Sequence, residues 1–418
     1  MQIRAWDISG ENLFRPAYLV IRTGGDLMKI VADKLNAAVG RMRIYVGVTG
    51  MLLAMLVCVP QASALDTSAR EAILIDYDTG AILFQKDADK PMPPASMTKI
   101  MTVLMAFERL KDGRLSMDDT IAISEKAWRK GGSKMFVKVN TRVAVRDILH
   151  GIIVQSGNDA AIALAEALGG TEEAFAEEMT RRAHELGLTG STFRNATGWP
   201  DPEHRTTAHD LARLAIESIR RFPEYYPIYS EKTFTYNKIK QGNRNPLLYK
   251  NMGADGLKTG HTEAAGYGLT ASAMRNGRRL VLVVNGLESV SARSREGEAL
   301  LDWGFREFEN YPLFEKGAVV ANADVWLGNA KTVPLMVNKD VLLTLKRTAR
   351  QKMKVSVVYE GPVPAPITAG TQLATLTVSA PDMEDVAIPL YAADDVAQLG
   401  VFGKVGAAVE YLVWGSGG

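Results

Sequence analysis

The sequence of 418 residues contains very little cysteine or histidine, with one cysteine, Cys58, and five histidines. A single thiol cannot form an internal disulfide, so a disulfide framework is excluded. The pattern His-Glu-x-x-His is also absent, and the acidic and histidine residues grouped in 201–210 lack the spacing typical of a zinc site. No metal and no cofactor is therefore predicted.

The sequence also lacks an excess of charge, because 49 Lys and Arg residues nearly balance 47 Asp and Glu residues. No basic cluster is interleaved with aromatic residues, which argues against a nucleic-acid partner. The glycine-containing segment Lys130–Asn140 lacks the strand, Gly-Lys-Ser/Thr and helix of a phosphate-binding loop, so a loop bordering an active site is expected there. An apolar fraction of 47% is typical of a globular protein with two or three domains.

One stretch, Ile44–Val59, is mainly apolar, and it follows two arginines and ends before a proline. It is too short for a typical membrane span, and Ala62–Ala64 gives a small-residue cleavage site after it. Residues 1–64 are therefore predicted to be an N-terminal extension with a signal peptide, and the protein is predicted to be exported. Because signal peptides begin near the start of translation, the true start is expected at Met42 or Met28.

A buried helix is predicted to begin at Ser96, where "SMTKIMTVLMAFERL" has no glycine or proline and is apolar on nearly every side. Two strands, "EAILIDYD" and "AILFQKD", form a predicted hairpin before it. Ser96 and Lys99 would share one helix face. They could be a capping serine and a lysine that extends to solvent, or a nucleophile and a base whose ammonium form is disfavoured by burial.

Two further motifs favour the nucleophile and base. Ser156-Gly157-Asn158 precedes an alanine-rich helical run, and Lys258-Thr259-Gly260 begins a predicted strand, which turns at Asn276-Gly277 into a second strand. A Ser-x-x-Lys pattern alone is weak evidence. Followed in order by these two motifs, it is the signature of penicillin-binding proteins and class A β-lactamases.

From about Leu65 to the C-terminus, the sequence resembles the serine D-Ala-D-Ala carboxypeptidases, the low-molecular-mass penicillin-binding proteins. The likeness is most specific at "PPASMTKIMT", "VQSGNDAA", "GLKTGHT" and "LLDWGF". It implies an α+β fold, in which residues 65–311 form a β-lactamase/transpeptidase-like domain with an antiparallel sheet packed against helices. It also implies removal of the terminal D-alanine from peptidoglycan stem peptides ending in D-Ala-D-Ala, and inhibition by β-lactams.

The resemblance implies roles for the first two motifs. Ser96 would attack the carbonyl between the two D-alanines, and Lys99 would take its proton. Ser156 would pass a proton to the departing amine. Asn158 would hold Lys99 and the substrate backbone.

The third motif would bind the substrate. Lys258 would place positive charge near the terminal carboxylate, and Thr259 would donate a hydrogen bond to it. Gly260 would leave room on a strand that pairs with the substrate beside the nucleophile. The N–H groups of Ser96 and His261 would form the oxyanion hole, without a role for the imidazole.

A carboxypeptidase must also recognise a free carboxylate, for which an arginine is a well-shaped partner. The resemblance places Arg293 in this role. The same residue could merely form an ion pair with Glu296 on a helix surface. Arg295 is an alternative register.

The C-terminal part has a different texture. Residues 312–390, with alternating runs such as "MKVSVVYE" and "TQLATLTVSA", are predicted to form a small all-β domain that acts as a spacer or docking module. Residues 391–418 are predicted to form an amphipathic helix on the membrane surface, at the periplasmic face, or to dock onto another protein. The apolar positions of this helix are Val396, Leu399, Phe402, Val405, Val409 and Leu412.

Other activities remain open at this point. A β-lactamase of class A would use a glutamate in an E-x-x-L-N context, which is absent between Asn158 and Lys258. A D,D-endopeptidase would share all three motifs. An inactive scaffold that binds muropeptides would be expected to have a broken motif, and a zinc D-Ala peptidase would need the metal ligands that the sequence lacks.

Overall fold

The computed structural model describes residues 2–7, 16–17, 66–381, 383–401 and 403. The chain forms two compact units. The sheet-and-helix unit comprises Thr67–Tyr311 and Leu342–Thr348, and the β unit comprises the described residues of Met1–Asp66, Pro312–Val341 and Ala349–Gly418. The predicted signal peptide and the start at Met42 or Met28 lie outside the described residues.

The secondary structure is α+β, as predicted. The α-helices of the described residues are α1 (Lys99–Lys111), α2 (Glu125–Arg129), α3 (Val145–Ile153), α4 (Asn158–Gly169), α5 (Glu172–Glu185), α6 (Ala208–Arg221) and α7 (Val290–Glu307). The strands are β1 (Gln2–Asp7), β2 (Pro16–Ala17), β3 (Glu71–Asp76), β4 (Ile82–Lys86), β5 (Thr120–Ala122), β6 (Arg142–Ala144), β7 (Thr233–Tyr236), β8 (Ile239–Gly242), β9 (Ala254–Thr262), β10 (Gly266–Arg275), β11 (Arg278–Leu287), β12 (Phe308–Phe314), β13 (Val319–Trp326), β14 (Thr332–Met336), β15 (Val341–Lys346), β16 (Lys354–Tyr359), β17 (Val363–Pro364), β18 (Gln372–Ser379) and β19 (Val386–Ala392).

A five-stranded antiparallel sheet of order β4-β3-β11-β10-β9 forms the centre of the sheet-and-helix unit. The predicted hairpin of β3 and β4 is confirmed. The predicted turn between β10 and β11 is confirmed as well, and Asn276 and Gly277 both have the positive φ that a tight hairpin turn requires. Strand β9, which carries Lys258, lies at the edge of this sheet. Its outer row of backbone groups is therefore open to an extended peptide.

Helix α1 is buried on every side along its first nine residues, 99–107, because it packs among α3, α4, α5 and α6. The helix was predicted to begin at Ser96, and this is corrected by the structure. Residues Ala95–Thr98 form a 3-10 turn, and the α-helix begins at Lys99. Ala95 has a φ of 47°, which an α-helix cannot contain, so the chain must turn before the helix can start.

The β unit contains an eight-stranded sheet of order β17-β13-β14-β19-β18-β16-β1-β2. Several of its strands alternate between buried and more exposed residues, as in β16, where Val355, Val357 and Tyr359 are buried. In β18 the buried residues are Ala374, Leu376 and Val378. This alternation is typical of a sheet with one face in a core, and it confirms the predicted all-β domain.

The predicted tail helix is corrected in its first part. Val396 is buried and forms a β-bridge with Ile367, so residues 393–400 belong to the β unit and are not helical. Burial of an apolar side chain against a neighbouring segment outweighs the helical spacing that the sequence suggests. Most of the remainder of the predicted helix lies outside the described residues. No helix in the described part of the chain is long and apolar enough to cross a membrane.

Candidate active site

Three elements of the sheet-and-helix unit bring the sequence motifs together. The 3-10 turn supplies Ser96 and the first residue of α1 is Lys99. Ser156 lies in the connection between α3 and α4, and Asn158 is the first residue of α4. Strand β9 packs against the turn and carries Lys258. Hydrogen bonds join Ser96, Lys99 and Asn158, and Lys258 lies close enough to Lys99 for their charges to interact.

The ammonium group of Lys99 is fully buried and lies at the centre of the site. Its Nζ donates to Ser96 Oγ at 3.0 Å, to Asn158 Oδ1 at 2.7 Å and to the Thr197 carbonyl at 2.7 Å. Burial, and after it the positive charge of Arg244, lower the pKa of Lys99 to about 7. A neutral amine within hydrogen-bond distance of a serine can accept its proton.

Asn158 links this lysine to the loop in front of it, because its Nδ2 donates to the Gly131 carbonyl at 2.8 Å. The next residue, Asp159, is fully buried and holds the loop by its main chain. Its carboxylate accepts N–H groups from Met135 at 2.8 Å, Phe136 at 2.9 Å and Val137 at 3.2 Å. The loop predicted to border an active site thus does border the motif residues.

Ser156 is held in an unusual conformation, with a φ of 66° and an exposed fraction of 2%. Within the part of the chain that the structure describes, its buried Oγ has no hydrogen-bond partner. An unpaired buried hydroxyl is costly. The hydroxyl of Ser156 therefore has a donor and an acceptor that no described residue uses.

Two more buried cations lie nearby. Lys258 Nζ donates to the Thr259 carbonyl at 3.1 Å, and its pKa is far below the usual range because of burial and of the charges of Lys99 and Arg244. Burial lowers the pKa of Arg293 to about 10. Both side chains are more than nine-tenths buried. An anion that reached them would relieve their unfavourable desolvation.

Arg293 follows the start of α7, where Ser289 Oγ caps the helix by accepting the Ala292 N–H at 3.0 Å. Its guanidinium lies 5.7 Å from the Tyr267 ring centroid, and its Nε has no hydrogen-bond partner among the described residues. The alternative pairing with Glu296 is wrong, because that carboxylate instead accepts hydrogen bonds from two hydroxyl groups near the N-terminal end of the unit. Arg295 is exposed.

Gly260 is required by a close approach of the turn that carries the serine. A Cβ there would lie 2.8 Å from the Pro94 carbonyl oxygen and 3.2 Å from Ala95 Cβ. The crowding that the sequence analysis attributed to a substrate is thus already present in the protein. His261 is exposed and its ring stacks on Tyr267, with centroids 3.9 Å apart.

Comparison with known proteins agrees with this geometry. The family model "D-alanyl-D-alanine carboxypeptidase" matches residues 58–289, and "Penicillin-binding protein 5, C-terminal domain" matches residues 308–398. The chain is 38% identical to D-alanyl-D-alanine carboxypeptidase DacA of Haemophilus influenzae, over 81% of this chain and 88% of that protein. The chain belongs to the D-alanyl-D-alanine carboxypeptidase family. It is therefore a serine hydrolase of the carboxypeptidase class.

Solved structures of other proteins are similar to this carboxypeptidase-family chain in both fold and sequence. The crystal structure of penicillin binding protein 5 from Haemophilus influenzae matches with a TM-score of 0.73 and 37% identity, over 80% of this chain and 99% of that one. Penicillin-Binding Protein D2 from Listeria monocytogenes, in its ampicillin-bound form, matches with a TM-score of 0.53 and 32% identity, over 58% of this chain and 98% of that one.

Two groups of this carboxypeptidase-family site carry no signal in the sequence. Arg244 lies on the connection after β8 and donates to Ser133 Oγ at 2.5 Å. Its positive charge lowers the pKa of both Lys99 and Lys258. The Thr197 carbonyl accepts a hydrogen bond from Lys99. Neither group belongs to a sequence motif, because one is a main-chain carbonyl and the other is an isolated arginine, and both are distant in sequence from Ser96. Only the folded chain brings them to the site.

His204, from the group 201–210, supports the site by a hydrogen bond. Its Nδ1 accepts the Arg194 N–H at 3.2 Å, so Nε2 carries the proton and donates to Thr98 Oγ1 at 2.9 Å. Burial lowers the pKa of His204 to about 4. The ring is therefore neutral at pH 7 and fixes the loop that contains it against the turn of the nucleophile.

Proposed function

We propose that this chain removes the terminal D-alanine from peptidoglycan stem peptides through an acyl-enzyme at Ser96. The observation that carries the proposal is the 3.0 Å contact of Ser96 Oγ with Lys99, a fully buried lysine whose pKa is about 7. The family assignment supports the reaction class. In this reaction the amide carbon–nitrogen bond breaks, D-alanine leaves as an amine, and an ester to Ser96 forms.

The acylation step follows from the hydrogen bonds of the site. Lys99 accepts the proton of Ser96 as its oxygen attacks the carbonyl carbon. The N–H groups of Ser96 and His261 stabilise the oxyanion. Ser156 passes a proton to the leaving nitrogen and receives the one held by Lys99, which returns Lys99 to its neutral form. The buried, unpaired hydroxyl of Ser156 supports this role, since it is free to contact the substrate.

Substrate binding uses the open edge of β9. An extended peptide that pairs with this edge gains main-chain hydrogen bonds, and its scissile carbonyl then lies beside the turn of Ser96. Thr259, Lys258 and Arg293 receive the terminal carboxylate, as the desolvation of both cations supports. Arg244 adds positive charge at the same place. Water then hydrolyses the ester to complete the reaction.

A β-lactam acylates the same serine, and we propose that the resulting ester is hydrolysed slowly. The similarity to the ampicillin-bound protein from Listeria monocytogenes supports β-lactam binding. A β-lactamase would need a second base aimed at the ester, and the sequence lacks the glutamate pattern of class A enzymes. Cleavage of cross-linked stem peptides remains compatible with the same motifs.

The test is mass spectrometry of the purified protein after brief exposure to benzylpenicillin, with Ser96→Ala as the control. A stable penicilloyl adduct on Ser96 that is absent from the control is expected. Consumption of the drug without an adduct would instead indicate a β-lactamase. Intact drug and no adduct would indicate an inactive scaffold, and loss of D-alanine release with a chelator would indicate a zinc peptidase.

For the whole chain we propose an exported enzyme at the periplasmic face of the cytoplasmic membrane. Residues 1–64 supply the signal peptide, 65–311 the penicillin-binding domain, 312–390 the spacer or docking domain, and 401–418 the membrane-associating tail. The small-residue site at Ala62–Ala64 supports processing. N-terminal sequencing and fractionation of the protein from cells test this, with a truncation before residue 404 expected to release it from membranes.

A further inference from the structure

The loop that supplies the Thr197 carbonyl to Lys99 is organised by the side chain of Asn195. Asn195 Oδ1 accepts hydrogen bonds from three consecutive main-chain N–H groups, those of Thr197 at 3.1 Å, Gly198 at 2.8 Å and Trp199 at 3.0 Å. The Thr197 hydroxyl donates to the same oxygen at 2.9 Å. Asn195 Nδ2 donates to the Trp199 carbonyl at 3.0 Å. Both ends of one amide therefore hold this loop.

A single peptide unit links this amide to Lys99. The Thr197 carbonyl and the Gly198 N–H belong to the same planar trans peptide, so they point in opposite directions. Asn195 accepts the N–H, and Lys99 Nζ donates to the carbonyl at 2.7 Å. The orientation in which Asn195 holds the peptide is therefore the one that presents an acceptor to Lys99.

The residues on either side of this peptide are fixed by other contacts. The Ala196 N–H donates to Glu172 Oε1 at 3.2 Å, and the Ala196 carbonyl accepts the Thr102 hydroxyl at 2.7 Å. A Cβ at Gly198 would lie 1.7 Å from the Ala95 carbonyl oxygen, so Gly198 packs directly on the turn of the nucleophile. Translation of the loop is thus restricted, and rotation of the peptide is the motion that the amide restrains.

Rotation of this peptide is otherwise permitted at its second residue. Gly198 has a φ of 76°, and glycine adopts positive and negative φ about equally readily. Turn types I and II differ by such a reversal of their central peptide. A reversed peptide would turn the Gly198 N–H toward Lys99 in place of the Thr197 carbonyl. The amine would then lose an acceptor.

The Thr197 carbonyl determines how a neutral amine at Lys99 is oriented. A neutral amine has two N–H groups and one lone pair, whereas Asn158 Oδ1 and the Thr197 carbonyl can only accept hydrogen bonds. Both lie 2.7 Å from Lys99 Nζ, so together they occupy the two N–H groups. The lone pair is left to face the third neighbour, Ser96 Oγ at 3.0 Å. This is the orientation in which the amine accepts the serine proton.

We infer that Asn195 is a positioning residue for acylation, which orients Lys99 toward Ser96 by fixing the Thr197 carbonyl. The Asn195 amide has no hydrogen bond to any residue of the three motifs in the described part of the chain, and it acts only through the peptide that it holds. The inference rests on the proposed acyl-enzyme at Ser96. It adds a residue on which the rate of that reaction depends, outside those that touch the substrate.

The test is the rate of acylation by benzylpenicillin, measured as the limiting rate at saturating drug and as the drug concentration that gives half of it. Asn195→Ala should lower the limiting rate by about tenfold to a hundredfold, the effect of a misplaced catalytic group, and leave the half-saturating concentration unchanged. In the Lys99→Met background, whose slow acylation is followed over hours, Asn195→Ala should cause no further loss. No amine remains there to be oriented.

The pH profile distinguishes orientation of Lys99 from a general loss of structure. Asn195→Ala removes an acceptor that favours the ammonium form, so the midpoint of the limiting rate against pH should fall below the wild-type value of about 7. Asn195→Asp keeps the oxygen for the N–H groups and adds a negative charge, so its midpoint should lie above the wild-type value, with a plateau rate near that of the wild type. The other titratable and charged groups around Lys99 are unchanged in both variants, and they are Lys130, Asp159, Glu172, His204, Arg244 and Lys258.

Asn310→Ala is the matched control in the same unit. Asn310 Nδ2 donates to Asp76 Oδ1 at 3.1 Å, and its Oδ1 accepts the Thr344 hydroxyl at 2.8 Å. Its loss should lower the free energy of unfolding without changing the limiting rate of acylation. Asn195→Ser, whose hydroxyl holds such turns more weakly, should give an intermediate limiting rate and replaces the alanine variant if that one does not fold.

Three outcomes would overturn the inference. They are a wild-type limiting rate in Asn195→Ala or its serine replacement, an equal loss in the Lys99→Met background, and midpoints that do not move in either direction. In each case the adduct of the wild type at Ser96 would still stand. If the wild type forms no adduct at Ser96, the proposed function fails instead, so the two failures are distinguishable.

Discussion

The sheet-and-helix unit and the β unit bury different kinds of side chain. The first buries Lys99, Asp159, Lys258 and Arg293, whereas the described residues of the β unit bury no charged side chain. In the β unit, apolar residues alternate with more exposed ones along the strands, as in β18. Buried charge is unfavourable. Lys99, Lys258 and Arg293 are the buried charges that the proposed chemistry uses. Other buried charges are compensated within the fold, since Asp76 forms an ion pair with Arg278 and Asp159 accepts three main-chain N–H groups.

The largest expected difference between the units concerns lysine. Lys99→Met should reduce the rate of acylation by benzylpenicillin by a factor on the order of 10³ or more, because the proposed base is lost. Lys354→Met, a matched change at an exposed position of β16, should leave that rate unchanged. Both rates are measured by mixing the protein with the drug, quenching the reaction at set times and determining the acylated fraction by mass spectrometry. A Lys99→Met rate within tenfold of the wild type would contradict the proposed base.

Matched leucine substitutions in the two units distinguish a loss of stability from a loss of activity. Leu282 in β11 and Leu376 in β18 are both fully buried, so Leu→Ala at either should lower the free energy of unfolding by about 2 to 5 kcal/mol. Under partly denaturing conditions, only Leu282→Ala should also lower the fraction that reacts with benzylpenicillin. Denaturant titrations with and without the drug measure this. Equal loss of reactivity in both variants would show that the two units unfold together.

Acid should affect only the sheet-and-helix unit through a histidine, since all five histidines lie within Thr67–Tyr311. His204 has a pKa of about 4 in the folded chain against 6.5 ordinarily, so between these values the unfolded chain binds a proton that the folded chain does not. Stability should therefore fall as the pH drops from 6.5 to 4, by about 3 kcal/mol.

Denaturant titrations of the wild type and of His204→Gln between pH 4 and pH 7 measure this loss. The variant is expected to be less stable at pH 7 but to lose less stability on acidification. His209→Gln, at a more exposed histidine, is the matched control and should follow the wild type. A wild-type pH dependence that persists in His204→Gln would refute the assignment.

The smallest effect expected is on the pH profile of acylation. Because the pKa of Lys99 is about 7 and the neutral amine is the active form, the rate should rise with pH through about 7 and level off above it. At pH 6 it should be about a tenth of the plateau. Initial rates of acylation from pH 5.5 to 9 test this sign. A rate that falls as pH rises through 7 would mean that the ammonium form is needed.

The sequence predicted those parts of the structure that depend on local patterns. The three-residue spacing of Ser96 and Lys99 predicted that their side chains would meet. The alternation of apolar and polar residues predicted the strands of the β unit. The start of α1 was missed because the positive φ of Ala95 is imposed by packing. Arg244 was missed because its position depends on a fold that joins segments over a hundred residues apart. Val396 was misassigned because its helical spacing is overridden by burial.

The carboxylate of Asp159 has a consequence for sequence variation at the cleft. It fixes the path of residues 135–137 through their main-chain N–H groups, which every amino acid except proline possesses. The exposed side chains of that loop, Phe136 and Lys138, are not needed to hold it. Phe136 has a φ of 66°, which disfavours β-branched residues there. Within that limit these positions can exchange residues without moving the backbone, so a single buried acid lets the rim of the cleft diversify while the reaction centre keeps its shape.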